Sequence, residues 1–321
     1  MALVRHLRYK RINGLLKKYP DPTLPLRNLE VAREVQGALS ELEFPFLNVV
    51  SLEFALFKTY AIPSISKILA ATKEFTNNCL KRADDTAIVL LEINECYARN
   101  QRRIMTEGKV DEKELQNDTA RQEIAFERLN FIHGQYNIKQ EDYLYTLALF
   151  ISEPGSFIGR FEWRPLTELE LNEYERTHSQ YAKTNRVVAD ATIDLLLSLA
   201  PSFTHGFGRI AVSALLTPML REAFDLPPAP KVVTAIVYGA LWARGTFIKY
   251  FMLPRRLPLV RTAARANKDG LYVLTYHKYK PVYPDGYRVE DLGPEKFIGK
   301  CPVSFHPSGI TPRASEAAKE V

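Results

Sequence analysis

The sequence predicts an all-α protein: a single, mostly helical domain followed by an irregular C-terminal tail. Three observations predict it. Apolar residues recur at three- and four-residue spacing through most of residues 29–253, the period of a helix with one buried face. Proline-containing breaks punctuate those runs, at Pro45, at Pro63, at 227–230 and at 254–258. Strand-like alternation is scarce before residue 267. With 321 residues and 46% hydrophobic content, the chain can bury a core large enough to enclose a pocket.

Taken in order, residues 1–25 form a basic arm, 26–265 the helical domain and 266–321 the tail. Residues 29–42 read as a helix that Glu43-Phe44-Pro45-Phe46 interrupts. The pattern resumes over 47–60 until Ile62-Pro63-Ser64 breaks the chain and caps a helix beginning near residue 65. Further helices are predicted over 84–103, 118–136, 140–151, 167–178, 187–200 and 207–223. The polar segment 105–118 is expected to be an exposed loop. Residues 232–253 are hydrophobic, but Arg244 and Lys249 interrupt them, so a core helix or one lying in a membrane interface fits better than a span. After residue 267 the composition turns to tyrosine, proline and lysine, and the alternating run 271–276 is expected as a hairpin or an extended tail. No repeat of roughly 20 to 50 residues recurs, which argues against a helical solenoid.

The net charge of +6 is concentrated at residues 1–19 and 251–265, beside apolar residues. Such clusters suit anionic headgroups, where each Lys or Arg contributes about 1 kcal/mol, and suit a solvated basic arm equally well. No helix-turn-helix, zinc-finger or ribonucleoprotein motif is present, so no nucleic acid is expected as a partner. Cys79, Cys96 and Cys301 lie far apart and match neither a zinc spacing nor a disulfide framework. The N-terminus lacks the small-residue cleavage site of a secretory signal, and its basic run is compatible with the juxtamembrane stretch of a longer form. A peripheral membrane location, at the endoplasmic reticulum, or a cytoplasmic one is expected.

His133 shares an apolar helical face with Leu129 and Phe126, and Tyr136 follows three residues on. A histidine so placed is more often a hydrogen-bonded core residue than a ligand, yet a neutral imidazole facing an apolar cavity is also what a haem iron requires. Spacing leaves both open. Arg82 and Thr86, four apart in Lys81-Arg82-Ala83-Asp84-Asp85-Thr86, share another face, continued by Leu90, Ile93 and Tyr97. They suit a carboxylate and a polar ligand atom at a pocket rim; alternatively Asp84 or Asp85 caps the next helix and Arg82 is solvated. Glu175 and His178 have the Glu-x-x-His spacing of di-iron bundles, but no second copy exists. His205-Gly206-Phe207-Gly208 lacks the strand and third glycine of a nucleotide fingerprint, and no GxSxG context occurs. Asn117-Asp118-Thr119 is a glycosylation sequon, relevant only if its loop faces a secretory lumen.

Several ordered runs together resemble a known family: Glu43 to Phe46; then EFALFKTYAIPSIS at 53–66; then Arg82 to Thr86; then RLNFIH at 128–133 with DYLYTL at 142–147; then Glu153-Pro154, Glu162-Trp163-Arg164 and Leu166-Thr167-Glu168. The chain resembles the fungal mpaB-type oxygenases over roughly residues 30–255, and through them the bacterial latex-clearing rubber oxygenases that share the catalytic domain. The resemblance implies an all-α domain holding haem b, which uses O2 to cleave a carbon–carbon double bond in an isoprenoid or prenylated secondary metabolite. It implies that His133 is the iron's proximal ligand and that Arg82 and Thr86 are the catalytic pocket pair; Asp85 and Arg128 are assigned with them to the cofactor site. Where rubber oxygenases can carry a distal lysine, this chain has Asp85, which implies a distal side that is open or filled by water. The competing expectation is a non-catalytic helical protein of the same fold that binds lipid or an anionic membrane surface.

Overall fold

The computed structural model describes residues 1–167, 170, 183–198, 200–277, 279–306 and 309–312. In chain order its helices are α1 (Ala2–Lys18), α2 (Leu24–Arg27), α3 (Leu29–Gly37), α4 (Pro45–Thr59), α5 (Pro63–Thr72), α6 (Glu74–Asn77), α7 (Cys79–Asn94), α8 (Cys96–Glu107), α9 (Glu112–His133), α10 (Gln140–Phe161), α11 (Lys183–Leu197), α12 (His205–Leu215), α13 (Pro218–Ala223) and α14 (Lys231–Phe251). One short antiparallel pair follows, β1 (Val303–His306) with β2 (Gly309–Pro312), in the register Val303 opposite Pro312 and His306 opposite Gly309. The all-α expectation therefore holds apart from this hairpin. The hairpin lies beyond the alternating run 271–276, which instead makes isolated bridges from Leu274 to Thr262 and from Tyr272 to Tyr287.

The chain divides into two compact units, Met1–Thr76 with Lys139–Arg256, and Asn77–Ile138 with Leu257–Val321. In the first unit, Asn28 caps α3 by accepting from the amides of Glu30 and Val31. A π-helical turn, Ala38–Glu43, carries the chain to Phe44, whose amide reaches back to the Leu39 carbonyl at 2.9 Å, and Pro45 then opens α4. Helices α4 and α10 pack together through Phe54 and Phe157, ring centres 5.3 Å apart, while Phe57 stacks on Phe224 at 4.7 Å. Two part-buried polar links tie α10 to its neighbours: Lys58 Nζ of α4 to Glu153 Oε1 at 2.5 Å, and Ser64 Oγ of α5 donating to Asp142 Oδ1 at 2.7 Å. The recognisable runs 53–66, 142–147 and Glu153-Pro154 thus include the partners of this packing. Helix α10 continues through Pro154 to Phe161, ten residues past its expected end at 151. Trp163 lies edge-on to Tyr9 at 5.2 Å with the guanidinium of Arg8 over it at 5.4 Å, and Glu43 pairs with Arg11.

In the second unit, the expected helix 84–103 is two helices, α7 and α8, which bend at Glu95. That carboxylate leaves helical duty to accept from the amides of Arg261 and Thr262 and from the Thr262 hydroxyl, at 2.7–3.0 Å. Helix α9 begins at Glu112, inside the segment expected to be a loop, so Asn117-Asp118-Thr119 is helical and Asp118 is buried. The segment after residue 265, expected as a tail, enters the core. Tyr272, Tyr287, Val289 and Leu292 pack with Ile88, Val89, Ile124 and Ala125, joining the 272–292 stretch to α7 and α9. Arginines finish the attachment: Arg102 donates to Pro258 O at 2.8 Å, Arg121 to Ala263 O at 2.8 Å and Arg103 to Ala264 O at 2.6 Å.

Beneath these contacts lies a buried charge network. Glu92 Oε1 accepts from Arg121 Nη2 and from Tyr287 Oη, both at 2.6 Å, and Arg99 Nη1 stands 3.4 Å from Oε2. Asp118 accepts from Arg99 Nε at 2.9 Å and from Arg103. Arg121 also stacks on the Tyr272 ring, 3.6 Å from its centre. Burial alone would push the Glu92 carboxyl up, but Arg121 and Arg99 hold it below the usual carboxylate range.

Candidate functional site

All five site residues expected from the sequence, Arg82, Asp85, Thr86, Arg128 and His133, lie on α7 and α9 of the second unit. Helix α7 starts at Cys79, so Asp84 and Asp85 stand in its second turn and cap nothing. Because Ile88, Val89, Ile124 and Ala125 bring α7 and α9 together, the first turns of α7 come near the last turn of α9. His133 is the final residue of α9 and is half-buried. Burial disfavours its charged form, and the positive charge of Arg82 disfavours it further, so the imidazole's pKa falls below its ordinary value. A helix C-terminus favours a cation, and here desolvation and Arg82 outweigh it. The outcome is a neutral imidazole beside a guanidinium.

The other three residues are engaged differently. Thr86 Oγ1 donates to the Arg82 carbonyl at 2.8 Å, a bond back to the preceding turn that orients the hydroxyl along the helix. Asp85 is buried and its carboxylate is shared: Oδ2 accepts from Lys81 Nζ at 2.8 Å and Oδ1 from the Tyr283 hydroxyl. Lys81 Nζ also donates to Tyr283 Oη at 3.0 Å and to Gly293 O at 2.6 Å. Burial, with Asp85 next to it, drives the Tyr283 hydroxyl's pKa far above its ordinary value, so it remains a donor. Arg128 is fully buried, with Nε donating to Leu292 O at 2.5 Å and Nη1 to Phe297 O at 3.0 Å. It holds the 292–297 segment against α9. Gly293 stands there at φ +107°, a backbone conformation that side-chain-bearing residues rarely adopt.

Packing therefore brings together His133 and Arg82, while Asp85 and Arg128 bind parts of their own unit. Lys81 and Tyr283 were missed. The Lys81–Asp85 spacing of four was legible as a helical ion pair, but no local pattern marks Tyr283 as their third member. Glu175 and His178 lie outside the described residues. Among the described residues no three His, Cys, Asp or Glu converge as a metal site. A neutral, half-buried imidazole with an arginine near it is a donor set that would suit haem, His133 offering a ring nitrogen to the iron and Arg82 a positive charge to a haem propionate.

No family model matches the chain. It is 28% identical to ER-bound oxygenase mpaB' of Penicillium brevicompactum over 384 aligned residues, covering 93% of this chain and 86% of that protein. It is 37% identical to ER-bound oxygenase mpaB of Penicillium roqueforti over 177 residues and 38% identical to ER-bound oxygenase mpaB of Penicillium brevicompactum over 178. Those two alignments cover 52% and 53% of this chain, and 53% and 41% of the relatives. The relatives are named oxygenases, which supports an oxygenase, and hence oxidoreductase, role for this chain, with O2 and a small molecule as its partners.

Proposed function

We propose that the chain is a haem b-dependent oxygenase that uses O2 to cleave a carbon–carbon double bond in an isoprenoid or prenylated secondary metabolite, at the periphery of the endoplasmic reticulum membrane. The observation that carries the reading is His133, half-buried and kept neutral at the end of α9 beside Arg82. The names of the relatives, ER-bound oxygenases, support both the oxygenase role and the location. Among the described residues no helix is long and apolar enough to cross a membrane.

Haem would supply O2 binding and activation, chemistry that no side chain provides. His133 offers an unprotonated ring nitrogen at the working pH, because its proton affinity is lowered by burial and by Arg82. Arg82 would offer a fixed positive charge to a haem propionate. Thr86 holds its hydroxyl one turn above Arg82 through the bond to the Arg82 carbonyl, where it positions the start of α7. Lys81 and Tyr283 hold the Asp85 carboxylate in place, so in this arrangement it ties α7 to the 283–293 stretch of its own unit.

A pyridine-haemochrome and metal measurement on protein expressed with haem supplied tests the proposal. Stoichiometric haem, a Soret band that is lost or shifted in His133→Ala, and O2 uptake with a prenylated substrate are expected. Unchanged haem content and spectrum in that variant would refute the ligand assignment. Protein without haem that still binds lipid would establish the competing, non-catalytic reading, and iron without haem a di-iron site.

A further inference from the structure

Helix α14 carries an apolar face that its own unit leaves open. It is seated through Gly245, where a Cβ would lie 2.8 Å from the Phe161 carbonyl, so the backbones of α14 and the end of α10 are in direct contact. On the opposite side the exposed positions are Val232, Ala235, Ile236, Gly239, Ala240, Ala243, Phe247 and Phe251, which recur at three- and four-residue steps with no polar side chain among them. Val232 is 71% exposed, Ile236 54%, Phe247 56% and Phe251 54%; Trp242, on the flank, is 67% exposed. Phe247 and Phe251 stack on each other at 5.2 Å. At about 1.5 Å per residue the stripe runs roughly 30 Å along the helix. A water-facing stripe of this length is costly in a monomer and marks a contact surface.

Charge decides among occupants. Residues 1–20 hold six Lys or Arg and residues 231–256 hold five, with no Asp or Glu in either stretch. The two stretches are bound to one another: Arg8 Nε donates to Met252 O at 2.7 Å and Nη2 to Leu253 O at 3.2 Å, and Arg11 Nη2 donates to Arg255 O at 2.5 Å. Arg5, Lys10, Lys17, Arg255 and Arg256 are exposed, as are Met252 and Leu253 between the stripe and this basic end. A second copy would bring like charge against like charge. An anionic phospholipid surface takes both features at once, the ring-bearing stripe among the acyl chains and the basic end at the headgroups.

We infer that the outer face of α14, together with the basic end formed by α1 and residues 252–256, is the surface by which this protein lies on an anionic lipid bilayer, with α14 parallel to the membrane plane. The assignment rests on the peripheral location proposed above and specifies the surface responsible. Trp242 reports it directly, because the other tryptophan, Trp163, is buried at 3% exposure. The test uses the full chain with vesicles of phosphatidylcholine, with and without phosphatidylserine, and with brominated acyl chains. Binding is expected only with phosphatidylserine, to weaken as salt rises, and to quench a tryptophan emission that Trp242→Phe abolishes. Phe247→Ser with Phe251→Ser, at exposed positions that keep the helix content by circular dichroism, should weaken binding about tenfold or more. Binding without quenching of Trp242 overturns the surface and leaves the location standing, whereas no binding to phosphatidylserine vesicles overturns both. A dimer in solution that shields Trp242 and dissociates in the double-serine variant overturns the lipid assignment in favour of a second copy. The wild-type quenching result stands whether or not the variants fold.

Discussion

Replacing Glu92 by leucine removes the acceptor at the centre of the buried charge network. The carboxylate is fully buried and takes hydrogen bonds of 2.6 Å from Arg121 and from Tyr287, with Arg99 at 3.4 Å. Leucine is close in volume, so the cost comes from two guanidinium groups and a hydroxyl that lose their acceptor out of reach of water. Breaking one side of a buried pair costs about 3–5 kcal/mol. Arg121 retains Asp118 at 3.5 Å and the Ala263 carbonyl, and Arg99 retains Asp118 and Thr262, which places the loss at the lower end, about 3 kcal/mol. For a unit of this size that is a fall in melting temperature of about 10 °C, measured by calorimetry and by urea unfolding. Combining Glu92→Leu with Arg121→Met removes both members, and the double variant should lose less than the sum of the singles, with a coupling of about 2 kcal/mol. A loss under about 1 kcal/mol, the scale of a solvent-exposed pair, or strict additivity, would refute the view that these charges depend on each other in a dry interior.

Three further outcomes are expected. His133 has a folded-state pKa below its unfolded value of 6.5, so the unfolded chain binds more protons between the two; its contribution to stability is complete above 6.5 and is lost as pH falls through the folded pKa. Urea titrations against pH should show that slope in the wild type and a flatter one in His133→Gln, and equal slopes would contradict the assignment. Arg82→Met should raise the imidazole pKa of His133 followed by NMR, whereas an unmoved titration would mean that the guanidinium does not act on it. Gly245→Ala forces a methyl against the Phe161 carbonyl and should cost about 1–3 kcal/mol in thermal unfolding, with a wild-type melting temperature as the contrary result.

How far the sequence could be read depended on how local each feature is. Periodicity located the helical runs around α4, α10 and α14, since a helical face is set by residues three and four apart. It misplaced ends where tertiary packing carried a helix on: the run 140–151 stops ten residues short of the end of α10 at Phe161. Nothing local marked Arg99, Asn100 and Arg103 of α8 as buried, which they are because residues 262–264 cover them. The tyrosines after residue 267 carried no sign of their partners: Tyr272 lies under Arg121, Tyr283 binds Asp85 and Tyr287 binds Glu92. His133 and Arg82 were both candidates from spacing and resemblance, but spacing could not bring them together.

The helical class, the candidate imidazole and guanidinium, and the basic charge of the two stretches that meet at α1 and α14 could be read from composition and short-range period alone. Which charges are buried, that Asp85 is held by Lys81 and Tyr283, and that the charge of Arg82 lowers the pKa of His133 emerged from the folded arrangement. The physical reason is that burial and Coulomb interactions depend on distance in space, and the residues concerned are separated in sequence by 51 positions from Arg82 to His133 and by 198 from Asp85 to Tyr283.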